Sequence, residues 1–131
     1  MRQLTAIMFT DLVGFSALMQ DDEDHATATV RRHREVLDRH VRSHEGRILQ
    51  FYGDGTLSVF PSAVNAVESA VEIQRELRAD PAIPLRIGIH TGDIIHDETG
   101  VYGDGVNVAA RIQGLGIGGS VLLSAKVNDE V

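Results

Sequence analysis

Apolar and polar positions follow two rhythms along this chain, one of period two and one of period 3.6. Leu4-Thr5-Ala6-Ile7-Met8-Phe9-Thr10 is short, apolar and partly β-branched, which predicts a buried strand. The run stops at Asp11, and Gly14 permits a turn. From Phe15 to about Glu45 the pattern predicts one or two helices. The acidic group Asp21-Asp22-Glu23-Asp24 stands where a first helical turn favours negative charge. Arg31, Arg32, His33, Arg34, Arg39 and Arg42 lie toward the C-terminal part, so the charge order complements the helix dipole. Gly46 is expected to end that segment. Arg47–Tyr52 and Thr56–Phe60 read as two strands around Gly53-Asp54-Gly55, a hairpin signal. Pro61-Ser62 opens a second helix. Its apolar face is expected at Val64, Val67, Val71 and Leu77, with Ala70 and Ile73 between, and Pro81 and Pro84 close it. A strand at Leu85–His90, a short helix around Val106–Gln113 and a strand at Val121–Leu123 complete the pattern.

The first ninety residues therefore spell β-α-β-β-α-β. The expected fold class is α+β: a ferredoxin-like βαββαβ core, with a palm-like antiparallel sheet carrying helices on one face, plus an extra helix and strand. In that order the first and third strands are antiparallel neighbours. The end of the first then lies beside the start of the third. Asp11 and Asp54 occupy those two places and are expected to meet at one edge of the sheet.

Composition narrows the chemistry. The 131 residues suit one domain, and 43% hydrophobic with 24% charged residues is the balance of an ordinary globular protein. Cysteine is absent, which excludes disulfides, thiolate metal centres and cysteine nucleophiles and fits a cytoplasmic protein. No apolar run approaches the length of a membrane helix. Asp11 interrupts the Leu4–Met19 run and no small-residue cleavage site follows, which argues against a signal peptide. A formal charge of −7 argues against a nucleic-acid partner. An acidic protein still binds a polyphosphate when a divalent cation bridges the two.

Two constellations point to such chemistry. Converging carboxylates on strand ends, Asp11 and Asp54, offer the hard oxygen ligands that suit two Mg²⁺ or Mn²⁺ ions in phosphoryl transfer. The plainer alternative is that Asp54 suits a Gly-Asp-Gly turn and Asp11 caps a helix. In Gly103-Asp104-Gly105-Val106-Asn107-Val108-Ala109-Ala110-Arg111, Asn107 and Arg111 are four positions apart and share a helix face. A carboxamide and a guanidinium together can orient a sugar and neutralise phosphate charge that grows during reaction. Ala109 and Ala110 predict that this helix packs closely against something.

Phe9-Thr10-Asp11-Leu12-Val13-Gly14-Phe15-Ser16, Tyr52-Gly53-Asp54-Gly55, Arg86-Ile87-Gly88-Ile89-His90-Thr91-Gly92 and Tyr102–Arg111 together resemble the catalytic domain of class III nucleotidyl cyclases. The resemblance runs from Leu4 to about Ser124, with the motifs in family order and spacing. It implies conversion of a nucleoside triphosphate, ATP ahead of GTP, to the 3′,5′-cyclic monophosphate and pyrophosphate by a homodimer with sites at its interface. By that resemblance Asp11 and Asp54 bind the two metal ions, with the Leu12 backbone carbonyl, and the amides of Val13, Gly14, Phe15 and Ser16 cradle the triphosphate. Asn107 orients the ribose and Arg111 stabilises the transition state. The purine-selecting lysine of the family falls at Gln50 and its aspartate partner at Gly100, a departure that bears on base choice. The family's C-terminal hairpin is expected beyond Val131, so residues 1–131 read as one catalytic domain without that hairpin. The alternative is a catalytically impaired cyclase-homology domain that binds nucleotide or dimerises. A palm-type two-metal enzyme such as a diguanylate cyclase shares the sheet but has no place for the Asn107/Arg111 helix.

Two further signals are set aside. Gly114-Leu115-Gly116-Ile117-Gly118-Gly119 fits GxGxxG but follows a helix and precedes a strand, the reverse of the dinucleotide-binding order. His40 and His44 have zinc-ligand spacing but no evident third ligand, and are expected on a solvated, arginine-rich helix face.

Overall fold

A computed structural model describes residues 2–79 and 81–131. The first apolar run forms strand β1 (Arg2–Leu12), longer than its hydrophobic stretch because both of its edges are paired. Helices α1 (Phe15–Asp21) and α2 (Glu23–Ser43) follow, divided at Asp22, whose carboxylate accepts from the His25 amide at 3.0 Å and caps α2. Next come β2 (Arg47–Tyr52), β3 (Gly55–Phe60), α3 (Ala63–Leu77) and β4 (Leu85–Asp97). The chain continues through β5 (Gly100–Tyr102), α4 (Asp104–Gly114), β6 (Val121–Leu123) and α5 (Ala125–Glu130). The sheet order is β2-β3-β1-β4-β5, with β6 parallel to β4. The β2-β3-β1-β4 part is the expected βαββαβ core.

Alternation along β1 sends Ala6, Met8 and Leu12 to one face of the sheet. There they join Val36, Leu37, Phe60, Ile73, Leu77 and Val127 beneath α2, α3 and α5. Ile7 turns to the opposite face with Leu57, Val59, Ile94, Val101 and Ala109, where α4 lies. Asp11 has the parity of Ile7 and stands at the end of that second face.

Four expectations are corrected. On α3 the buried stripe is Ala63, Ala66, Ala70, Ile73 and Leu77, with Ser69 and Gln74. Val64 points outward, 44% exposed, and Val67 packs only partly buried against the core, because alanines fill the closest part of the contact. Helix α2 stops at Ser43, ahead of the expected Gly46, and Glu45 takes the positive φ of 64° in the turn. Gly46 is required for a different reason, since a Cβ there would lie 2.5 Å from the Phe60 ring. His40 and His44 are not on a solvated face. Side by side with α3, their Nε2 atoms reach Glu76 Oε1 at 2.8 Å and Glu72 Oε2 at 2.6 Å. Glu76 also binds Arg39; these bonds, from Arg39 first and then His40, bring its carboxyl down to about 2. Finally, β5 and α5 are additional to the elements expected from sequence.

Helix α4 is held against β4 at Gly88. A Cβ at Gly88 would come within 2.4 Å of the Gln113 amide nitrogen and 2.8 Å of the Ala109 carbonyl oxygen, both main-chain atoms that cannot swing aside. Ala109, fully buried, is therefore one side of the close contact that the small residues foretold. Gly88→Ala is expected to destabilise the protein by about 3 kcal/mol through overpacking, seen as a fall in thermal midpoint. An unchanged midpoint would show that α4 can move off the sheet. None of the helices among the described residues is long and apolar enough to cross a membrane.

Candidate active site

The register of the sheet builds the acidic centre. Thr10 pairs with Thr56 of β3, and Asp11 pairs with Arg86 of β4. Asp11 thus leaves the sheet just as the β2–β3 turn delivers Asp54 to the same place. The two carboxyl groups share a hydrogen bond, and the Leu12 amide also donates to Asp54. Burial, the bond to Asp11 and the Asp11 charge together raise the Asp54 pKa above the ordinary carboxylate range. On its other side Asp11 Oδ2 accepts from Arg86 Nη2 at 2.9 Å, both side chains being about three-quarters buried. Arg86 is a site residue that the sequence reading passed over. Its signal was a lone charge inside an apolar strand, opposite Asp11 once the strands are aligned.

The residues present fit a divalent cation. Two oxygen-only groups in contact, one with its pKa raised first by burial and then by its neighbour, make a place where positive charge is favoured. No cluster of three or more His, Cys, Asp or Glu side chains suited to a metal occurs among the described residues. Two carboxylates alone leave most of an octahedral shell to water, main-chain oxygens or phosphate, the coordination habit of Mg²⁺ beside nucleotides.

Immediately after Leu12 the chain turns at Gly14, whose φ of +73° favours glycine, and enters α1. No side chain caps the first turn of α1. One expected phosphate donor is corrected here: the Val13 amide donates to the Pro84 carbonyl at 2.9 Å and is not free for an anion. Gly14, Phe15 and Ser16 stay at the open end of the turn.

Asn107 and Arg111 lie on α4, both exposed, four positions apart as the sequence required. Neither makes a side-chain hydrogen bond or ion pair among the described residues, and neither is joined to Asp11 or Asp54. Gln50 and Gly100 sit on β2 and β5, the opposite edges of the sheet, yet they meet. A Cβ built on Gly100 would lie 3.9 Å from Gln50 Oε1 and 3.4 Å from the Tyr102 hydroxyl oxygen. The sheet curls until its two edges touch. Tyr102 is a second residue that the sequence reading did not single out.

The fold is that of a cyclase-type catalytic domain, as comparison with known proteins shows. The family model described as adenylate and guanylate cyclase catalytic domain matches residues 2–130. The chain is 44% identical to putative adenylate cyclase 3 of Rhizobium meliloti (strain 1021), covering 99% of this chain and 24% of that protein. It is 28% identical to adenylate cyclase 1 of the same strain, covering 96% and 23%. Among solved structures, an adenylate/guanylate cyclase/hydrolase from Silicibacter pomeroyi superposes with a TM-score of 0.83 at 34% identity, covering 98% of this chain and 79% of the other. The adenylyl cyclase CyaB from P. aeruginosa shares the fold, with a TM-score of 0.87 at 20% identity and coverage of 98% and 80%. The chain belongs to the adenylate and guanylate cyclase catalytic domain family. It spans about a quarter of the length of the two Rhizobium meliloti relatives.

Proposed function

We propose that this domain converts a nucleoside triphosphate, ATP in preference to GTP, to its 3′,5′-cyclic monophosphate and pyrophosphate as a homodimer. The observation that carries the reading is the meeting of Asp11 and Asp54 at the mouth of an uncapped glycine turn. Asp11 and Asp54, with the Leu12 carbonyl, hold two Mg²⁺ or Mn²⁺ ions. When bound, the ions lower the pKa of the ribose 3′ hydroxyl and neutralise the triphosphate. Arg86 keeps one Asp11 oxygen engaged and so fixes how the other is presented. The amides of Gly14, Phe15 and Ser16 receive phosphate oxygens at the start of α1. The 3′ oxygen bonds to the α-phosphorus, the bond from that phosphorus to the bridging oxygen breaks, and pyrophosphate leaves with that oxygen. The hydroxyl proton passes to solvent.

Asn107 and Arg111 serve this reaction from the second protomer. Exposed and without side-chain partners among the described residues, they have donors for a ligand brought to them. Asn107 orients the ribose by its carboxamide, and Arg111 meets the charge that builds on the α-phosphate. The dimer therefore has two composite sites related by its two-fold axis.

The test is direct. The protein is incubated with ATP or GTP and Mn²⁺, and products are separated by chromatography. Cyclic AMP and pyrophosphate in equal amounts are expected, with less cyclic GMP. Nucleotide binding with no cyclic product from either substrate would replace the enzyme reading with that of a binding or dimerisation module.

A further inference from the structure

The polar corner beside Gly100 has hydrogen-bond directions that elementary chemistry fixes. At the β4–β5 turn one Asp97 carboxylate oxygen accepts from the Thr99 amide at 2.8 Å and from Thr99 Oγ1 at 2.6 Å. Those bonds, the hydroxyl's foremost, hold the Asp97 carboxyl below its usual range, so it is ionised at neutral pH. An ionised carboxylate only accepts, so the Thr99 hydroxyl proton points to Asp97. The Tyr102 hydroxyl lies 2.7 Å from Thr99 Oγ1. With the threonine proton committed, the proton between these two oxygens belongs to Tyr102. Its oxygen has lone pairs left for the surroundings and no proton to give.

Those lone pairs border the space beside Gln50. A Cβ on Gly100 would lie 3.4 Å from Tyr102 Oη and 3.9 Å from Gln50 Oε1, so both groups flank the volume a side chain at position 100 would fill. Gly100 has a φ of +143°, which side chains rarely adopt, and this keeps the volume open. A glutamine carboxamide can rotate to offer either donor or acceptor. The tyrosine, tied through Thr99 to Asp97, cannot. The corner holds one fixed acceptor beside one adaptable group.

We propose that Tyr102 is a specificity-determining residue of the purine site, its fixed acceptor receiving the adenine 6-amino group while Gln50 donates to adenine N1. The inference rests on the reading of this domain as a cyclase whose purine lies at Gln50. Adenine carries a donor at C6 and an acceptor at N1, and the corner answers both. Guanine carries a carbonyl oxygen at C6, which would set lone pair against lone pair at Tyr102. Asp97 and Thr99 are positioning residues: they touch no base and act through the tyrosine. The missing side chain at position 100 is replaced by a hydroxyl from two residues further on.

The test compares wild type with Tyr102→Phe and Thr99→Val in the full chain. It reads kcat/KM for ATP and GTP, and equilibrium binding of the α,β-methylene analogues of both. Tyr102→Phe removes only the hydroxyl of an exposed ring and should lower the ATP-to-GTP ratio about tenfold, through the ATP arm. Thr99→Val frees the tyrosine proton to be donated outward, so it should lower the same ratio through a gain in the GTP arm. A turn that was merely structural would move both nucleotides alike. Cyclic product or analogue binding with an unmoved ratio in both variants would overturn the role of Tyr102 and leave the cyclase reading in place. A wild type that neither turns over nor binds either nucleotide would overturn the reading of the site, and this inference with it.

Discussion

Asp54→Asn should lower turnover roughly a thousandfold while leaving the fold intact. Asparagine keeps the shape and can still accept from the Leu12 amide, and its NH₂ can donate to Asp11 where the shared proton now lies. What it removes is the negative charge that would hold a divalent cation. The sign of the stability change follows from the raised pKa of Asp54. A carboxyl whose pKa is higher in the folded state contributes stability that is fully present below its unfolded pKa and is lost as pH rises through the folded value. Above the folded pKa of Asp54 that contribution is gone and burial opposes its charge, so the asparagine variant, with no charge to desolvate, should melt at or slightly above the wild-type temperature. Thermal melts at pH 7 and initial rates with Mn²⁺ check the two halves separately. Wild-type turnover in a folded Asp54→Asn protein would remove the carboxylate pair from the chemistry. A large fall in melting temperature would instead make Asp54 a structural residue of the hairpin.

The acidic centre was legible in the sequence because topology alone creates it. Once β-α-β-β-α-β is read, the antiparallel pairing of β1 with β3 brings Asp11 to Asp54 without any knowledge of side chains. Asn107 and Arg111 were legible for a similar reason, since a four-residue helical spacing needs no tertiary context. The features that escaped depend on contacts across the sheet. Arg86 stands out locally only as a charge inside an apolar run, and its role appears only when its register opposite Asp11 is known. Tyr102 belongs to a three-residue strand, too short to show a period, and flanks the same space as Gln50 only because the sheet edges curl together. On α3 the expected Ala70, Ile73 and Leu77 are buried, but Val64 misled because the closest part of the contact is filled by alanine. The histidines of α2 misled because their glutamate partners lie on α3, some thirty positions on. The Val13 amide is claimed by Pro84, a partner more than seventy residues away.

Mixing two inactive variants should restore activity if the site is shared between protomers. Asp54→Asn disables the acidic centre of its own chain, and Arg111→Ala disables the α4 face that serves the neighbour. Arg111 is exposed and forms no ion pair among the described residues, so truncating it leaves the protomer fold undisturbed and isolates the role across the interface. In a mixed dimer both lesions fall in one composite site. The other site takes Asp54 from the Arg111→Ala chain and Arg111 from the Asp54→Asn chain, and is wild type in every group. Random exchange of equal amounts makes half the dimers mixed, each with one of two sites intact, so about a quarter of wild-type activity should return. The measurement needs protomers above the dimer dissociation constant and time for exchange, with differently tagged chains to count the heterodimers. Recovery near a quarter would place Asp54 and Arg111 in the same site on different chains. Heterodimers formed in the expected proportion without recovery, from a wild type that is active, would put all four side chains in one protomer's site. The exposed, unpartnered face of α4 would then need a closing motion within the chain to reach the carboxylates.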